Sequence, residues 1–198
     1  MSPSPAFRSD RRPTLVICIC EADHNAWDPV EELGGQPWSP GGARTVAIAA
    51  DQPLALLASL RRHMALPDCQ GVLLVGRTHH DEDFRVQMRA GNRTFDGGAK
   101  LAPTGPSTAR ATASVTEMIR ELNAAGLAAT ASSRIETDVE NWLLYSILTE
   151  LPDDRDAPAV GLLRVPAQVP AGDLDRGIRA AATAIARHLT PLPRAITA

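Results

Sequence analysis

The residues best placed to do chemistry in this sequence lie at a joint. A polar stretch, residues 132–141, runs into a strongly apolar one, and Glu140 stands where they meet. Thr137, three positions before Glu140, completes a capping-box pattern in which each side chain satisfies a backbone N–H that a helix start leaves open. In an α/β protein such a joint is also where ligands meet the sheet. Glu140 is therefore a candidate general acid or base, or a cap and nothing more. His79-His80-Asp81-Glu82-Asp83 is the second group. Adjacent histidines point apart on an extended chain and no second histidine cluster has ligand spacing, so no metal is expected. One of His79 and His80 could serve as proton partner to Glu140; a solvated polar loop is the plainer alternative.

These residues need a scaffold, and composition bounds it. The chain has 198 residues, 44% of them hydrophobic, enough for one substantial core. A formal net charge of −3, with basic and acidic side chains interspersed, gives no nucleic-acid footprint and no polybasic membrane patch. Aromatic residues make up 4%, too few for base-stacking platforms. Cys18, Cys20 and Cys69 are an odd number without secretory context and read as buried small hydrophobes. No signal peptide or membrane span is expected, and the expected location is the cytoplasm. Residues 1–12 read as a disordered leader, and residues 13–198 as a single domain.

Strands and helices alternate along that domain. Residues 14–20 form a continuous apolar run of strand length, as for a strand buried on both faces. Residues 21–42 read as a long loop, and 44–50 as a second strand. Asp51 can cap a helix with Pro53 in its first turn and Leu54, Leu57, Leu60 and Met64 at helical spacing. Residues 71–75 read as a strand, 76–83 as a polar loop, 84–89 as a half-exposed strand and 91–106 as turns. Ser114 and Glu117 form another capping box, and Gly126 closes that helix. Strands over 127–132 and 159–165, a helix that follows the Thr137 cap and runs to about 151, and another over 173–188 complete an α/β, three-layer α/β/α arrangement with a mostly parallel sheet. His63 and His188, near helix ends, read as structural.

Four segments, in order, resemble the pyroglutamyl peptidase I (pyrrolidone carboxylate peptidase) family. Gly71-Val72-Leu73-Leu74-Val75-Gly76 is similar to the family strand that enters its Gly-rich loop, and Arg85-Val86 to the pair following its catalytic glutamate. Gly105-Pro106, Ala113-Ser114-Val115 and Ala124-Ala125-Gly126-Leu127 resemble a Gly-Pro, helix and Ala-Gly-Ile segment. Residues 132–145, with Gly161-Leu162-Leu163-Arg164-Val165-Pro166, resemble the catalytic helix start and the strand ending in His-Val-Pro. The resemblance implies a homo-oligomer; a small-molecule ligand and no cofactor are expected, and the charge pattern already speaks against nucleic-acid and membrane partners.

The departures bear on activity. The family uses a cysteine nucleophile, a histidine base and a glutamate. Those positions fall here on Glu140, on Arg164, and on Phe84 or, with a one-residue shift, Asp83. Acyl transfer needs a nucleophile activated by a base, and arginine stays protonated at any working pH. The cysteine mechanism is therefore excluded. What replaces it is open between two readings. In one, Glu140 works with His79, His80 or Asp83 on an amide, lactam or amino-acid-derived ligand. Arg164, Asn141, Trp27 and His24 then contact that ligand, Trp27 or Trp38 standing in for the family's aromatic clamp. In the other, Glu140 and Arg164 form a structural ion pair over a silent site, and the protein binds a ligand or partner.

Overall fold

The computed structural model describes residues 12–20, 38–50, 52–78, 83–96, 98–153 and 157–189. The apolar run near the N-terminus is strand β1 (Thr14–Ile19), buried along its whole length. Parallel neighbours β2 (Arg44–Ala49) and β3 (Cys69–Thr78) flank it. β3 pairs in parallel with β8 (Ala159–Pro166), and β4 (Phe84–Gln87) joins β8 antiparallel. β7 (Ala129–Ser132) runs parallel to β4 at the edge, so the sheet order is β2-β1-β3-β8-β4-β7. A separate antiparallel pair, β5 (Arg89–Gly91) and β6 (Thr108–Arg110), prolongs the turn after β4.

Four described helices cover the two faces. Alternation along β1 sends Leu15, Ile17 and Ile19 into one core, shared with Met118 and Leu122 of α2 (Val115–Ala124) and Leu174, Ile178 and Ile185 of α4 (Ala171–Ala186). Val16, Cys18 and Cys20 face the other, built with Leu56, Leu57 and Leu60 of α1 (Pro53–Met64) and the apolar run of α3 (Val139–Glu150). The expected three-layer α/β/α architecture with a mostly parallel sheet is what the chain adopts. The two core clusters account for it, because strands buried on both faces need a helical layer on each.

Several local expectations are corrected. The segment 76–83, read as a polar loop, begins as strand: Gly76, Arg77 and Thr78 pair with Arg164, Val165 and Pro166 of β8. The turn-rich stretch after β4 is bounded by the short β5–β6 ladder. Asp51 lies outside the described residues, and Gln52 occupies the N-cap position of α1 without a side-chain cap. Ser114 does cap α2, accepting from the Glu117 N–H at 3.4 Å, while Glu117 turns its carboxylate to Arg120 instead of completing the box. Gly126, at φ +78°, ends the helix in the left-handed conformation that glycine adopts without penalty.

Candidate active site

The start of α3 meets the carboxyl ends of β3 and β8. Asp138, not Thr137, is the N-cap residue: its Oδ1 accepts from the Asn141 N–H at 2.8 Å. The capping pair is thus Asp138 and Asn141, one residue later than the Thr137–Glu140 pattern suggested. Freed from capping, Glu140 turns inward. Only 2% of it is exposed, and its side chain lies on the Cα of Gly76 in β3, where a Cβ would collide with Glu140 Cγ. Gly76 is therefore needed for the carboxylate to lie where it does.

Gly76 is the β-ladder partner of Arg164, which is 1% exposed. The carboxylate that Arg164 forks is Asp138, not Glu140. Nη1 donates to Asp138 Oδ2 at 2.8 Å and Nη2 to Oδ1 at 3.1 Å, while Nε donates to Gln87 Oε1 at 3.3 Å. Glu136 adds a longer ion-pair contact of 3.7 Å. Burial pulls the guanidinium pKa down, but the Asp138 hydrogen bonds and the charges of Asp138, Glu140 and Glu136 outweigh it, and the net shift is upward. A guanidinium so held is a fixed positive charge with its donors directed at protein acceptors.

Cys20, just beyond β1, shares this charge environment. Its hydrogen bond to Cys18, its burial and the negative charge of Glu140 raise its thiol pKa well above the usual value, against a smaller opposing effect of Arg164. Such a thiol is protonated and unreactive at neutral pH. Cys18 is equally buried, and Cys69 is pushed up to about 11, chiefly by burial. All three cysteines are free thiols.

Of the residues singled out from the sequence, the fold brings Glu140, Asn141 and Arg164 together, with Asp83 at the same end of the sheet just ahead of β4. Phe84, the other position considered for a glutamate, points into the opposite core against Gly177. Asn141 spends its amide on backbone: Oδ1 accepts from Gly91 N–H at 2.7 Å and Nδ2 donates to Gly91 O at 3.1 Å. Trp38 packs at the other end of the molecule, under the Arg179 guanidinium at 5.0 Å from its ring centroid, and anchors the segment before β2. His24, Trp27, His79 and His80 lie outside the described residues. The sequence reading missed Asp138, Glu136 and Gln87. Asp138 carried a signal, since aspartate followed three positions later by Asn141 fits an N-cap as well as Thr137 does.

Comparison with solved structures identifies the fold. Pyroglutamyl peptidase I from Bacillus amyloliquefaciens superposes with a TM-score of 0.77 at 16% identity, over 90% of this chain and 97% of that one. The chain has the pyroglutamyl peptidase I fold. The pyrrolidone carboxyl peptidases of Thermus thermophilus (TM-score 0.70, 19% identity, 89% and 100% of the two chains) and Thermococcus litoralis (0.71, 16%, 88% and 93%) share it. No family model matches the sequence. No curated protein matches it either. Within the pyroglutamyl peptidase fold, then, the start of α3 carries Glu140 and the carboxyl end of β8 carries Arg164.

Proposed function

We propose that the chain is a divergent relative of the pyroglutamyl peptidases that has given up cysteine peptidase chemistry and acts by binding a ligand or partner. The observation that carries this reading is the Asp138 fork. With Nη1, Nη2 and Nε engaged by Asp138 and Gln87, Arg164 is neither a base nor a guanidinium turned to a substrate carboxylate. Cys20, the thiol nearest to Glu140 and Arg164 in charge, is held protonated and far from nucleophilic. The position of Glu140 supports a second reading, in which the protein is an enzyme with remodelled acid/base chemistry on an amide, lactam or amino-acid-derived compound. A carboxylate buried at a helix start, at the carboxyl ends of parallel strands, is where such a group belongs. His79 or His80 would be its proton partner.

Pyroglutamyl p-nitroanilide tests the shared premise: no release of nitroaniline is expected, and turnover abolished by replacing Cys18, Cys20 or Cys69 with serine would overturn it. Native mass spectrometry of the purified protein then separates the readings. A co-purifying small molecule recovered unchanged after incubation supports binding. Its conversion, lost in Glu140→Gln, supports the enzyme.

A further inference from the structure

The β5–β6 pair presents an unusual charge arrangement on its outer face. Its register sets Arg89 opposite Arg110, Ala90 opposite Ala109 and Gly91 opposite Thr108. The bonds from Ala111 N–H to Met88 O and from Asn92 N–H to Ser107 O, each 3.0 Å, fix the alternation. Arg89 and Arg110 therefore occupy a non-hydrogen-bonded pair, the kind in which opposed side chains stand closest. Ala90 and Ala109 turn towards the α3 core, so both arginine stems share the exposed face. Like charges directly opposite each other destabilise a strand pair.

Arg134 is held next to them. Gln87 Nε2 donates to the backbone carbonyls of both Arg89 (2.9 Å) and Arg134 (2.6 Å), and Arg89 Nε donates to Ser133 O at 3.2 Å. All three arginines are exposed, and no described carboxylate pairs with any of them. Glu136, close to Arg134 in sequence, turns to Arg164 instead. Several other arginines are matched to carboxylates: Arg44 with Asp68, Arg61 with Glu150, Arg179 with Asp175 and Arg187 with Glu121. One exposed apolar side chain flanks the trio: Ile135, 37% exposed, packs over Gly91 on the arginine face.

We propose that this face docks an acidic polypeptide segment of a partner protein. Carboxylates of the segment bridge the guanidinium forks of Arg89, Arg110 and Arg134, and an apolar side chain of the segment covers Ile135. Guanidinium groups match carboxylates two bonds at a time, and arginine is enriched at protein interfaces. Bridging also removes the repulsion between Arg89 and Arg110, which favours an anionic occupant over a neutral one.

The test is fluorescence anisotropy of a labelled peptide of alternating glutamate and leucine, titrated with the full chain. Affinity is expected to fall as salt rises, and to weaken roughly tenfold in R89Q/R110Q/R134Q, as the loss of three exposed charge contacts implies. It should hold in R120Q/R176Q, which removes arginines already paired with Glu117 and Asp173. R110Q alone should melt at or above the wild-type temperature, because it relieves the repulsion. Retained binding in the triple variant, an equal loss in R120Q/R176Q, or equal binding of a lysine–leucine peptide overturns the proposal. So does full displacement of the peptide by inorganic phosphate at equal concentration, or a lowered melting temperature of R110Q.

Discussion

Arg164 is the residue on which the candidate site turns, because it is a fully buried cation surrounded by three carboxylates. Breaking a buried pair by removing one partner leaves uncompensated charge, which costs about 3–5 kcal/mol. Arg164→Met is expected to destabilise the protein by that amount in urea unfolding. Arg164→Met combined with Asp138→Asn should recover part of the loss, since the pair then disappears together. Gly76 offers a steric counterpart. Gly76→Ala drives a methyl into the Glu140 side chain and should cost about 1–3 kcal/mol, as overpacking does. Added to Glu140→Ala, the same change should cost far less. If the two substitutions simply add, the contact between Gly76 and Glu140 is not what matters.

At the scale of elements, Asn141 and Asp138 tie the first turn of α3 to both of its neighbours. Asn141 pairs with the Gly91 peptide much as another strand would, so it clamps the β5–β6 ladder to the helix. Asn141→Ala is expected to speed hydrogen exchange at Gly91 and Asn92 while leaving the exchange of β1 and β3 unchanged. This part of the molecule was the least legible in the sequence. The apolar run from Thr14 to Cys20 and the helical spacing of Leu57 and Leu60 identify buried elements without knowledge of their neighbours, because burial is written in the period of apolar residues. Thr137 and Asp138 are both good caps, and only packing against Arg164 selects Asp138. Arg77 and Thr78 are polar yet extended, because β8 offers them partners that local propensity cannot reveal. The order of segments resembling the pyroglutamyl peptidases carried the fold. The ion pairing at the site depends on side-chain directions and could not be read in advance.

For the whole molecule, pH and thiol chemistry give two further tests. Thr14 Oγ1 donates to Asp68 Oδ2 at 2.7 Å, and Arg44 Nη2 donates to the same oxygen at 2.6 Å, joining β1 and β2 to the turn before β3. The Thr14 hydrogen bond first, with Arg44 adding to it, holds the Asp68 carboxyl below its ordinary 3.8. A depressed carboxyl pKa stabilises the fold at pH above the unfolded value and loses that contribution as pH falls through the folded one. The urea midpoint of Asp68→Asn should therefore lie below wild type near neutral pH, and the gap should close as pH falls through the depressed carboxyl pKa, below the ordinary carboxylate range. Equal midpoints at neutral pH would show that the contact contributes nothing. The cysteines should resist alkylation in the same way. Iodoacetamide at neutral pH is expected to label none of Cys18, Cys20 and Cys69 in the native protein within minutes, and all three once urea unfolds it.

The antiparallel insertion of β4 beside β8 has a consequence for how the chain reaches this state. β8 lies between β3 and β4, so the sheet stays split until nearly the last segment of the fold arrives: Gly71 must wait for Ala159, and Arg85 for Arg164. Contacts so distant along the chain are made late and slowly. Until then Asp138, Glu136 and Glu140 have no cation from β8 to converge on, and α3 carries its acidic first turn unneutralised. On a ribosome the segments before Ala159 would emerge with the central gap of their sheet open. Arrival of β8 closes that gap and supplies the missing charge in one step, which makes this strand the point of commitment in folding.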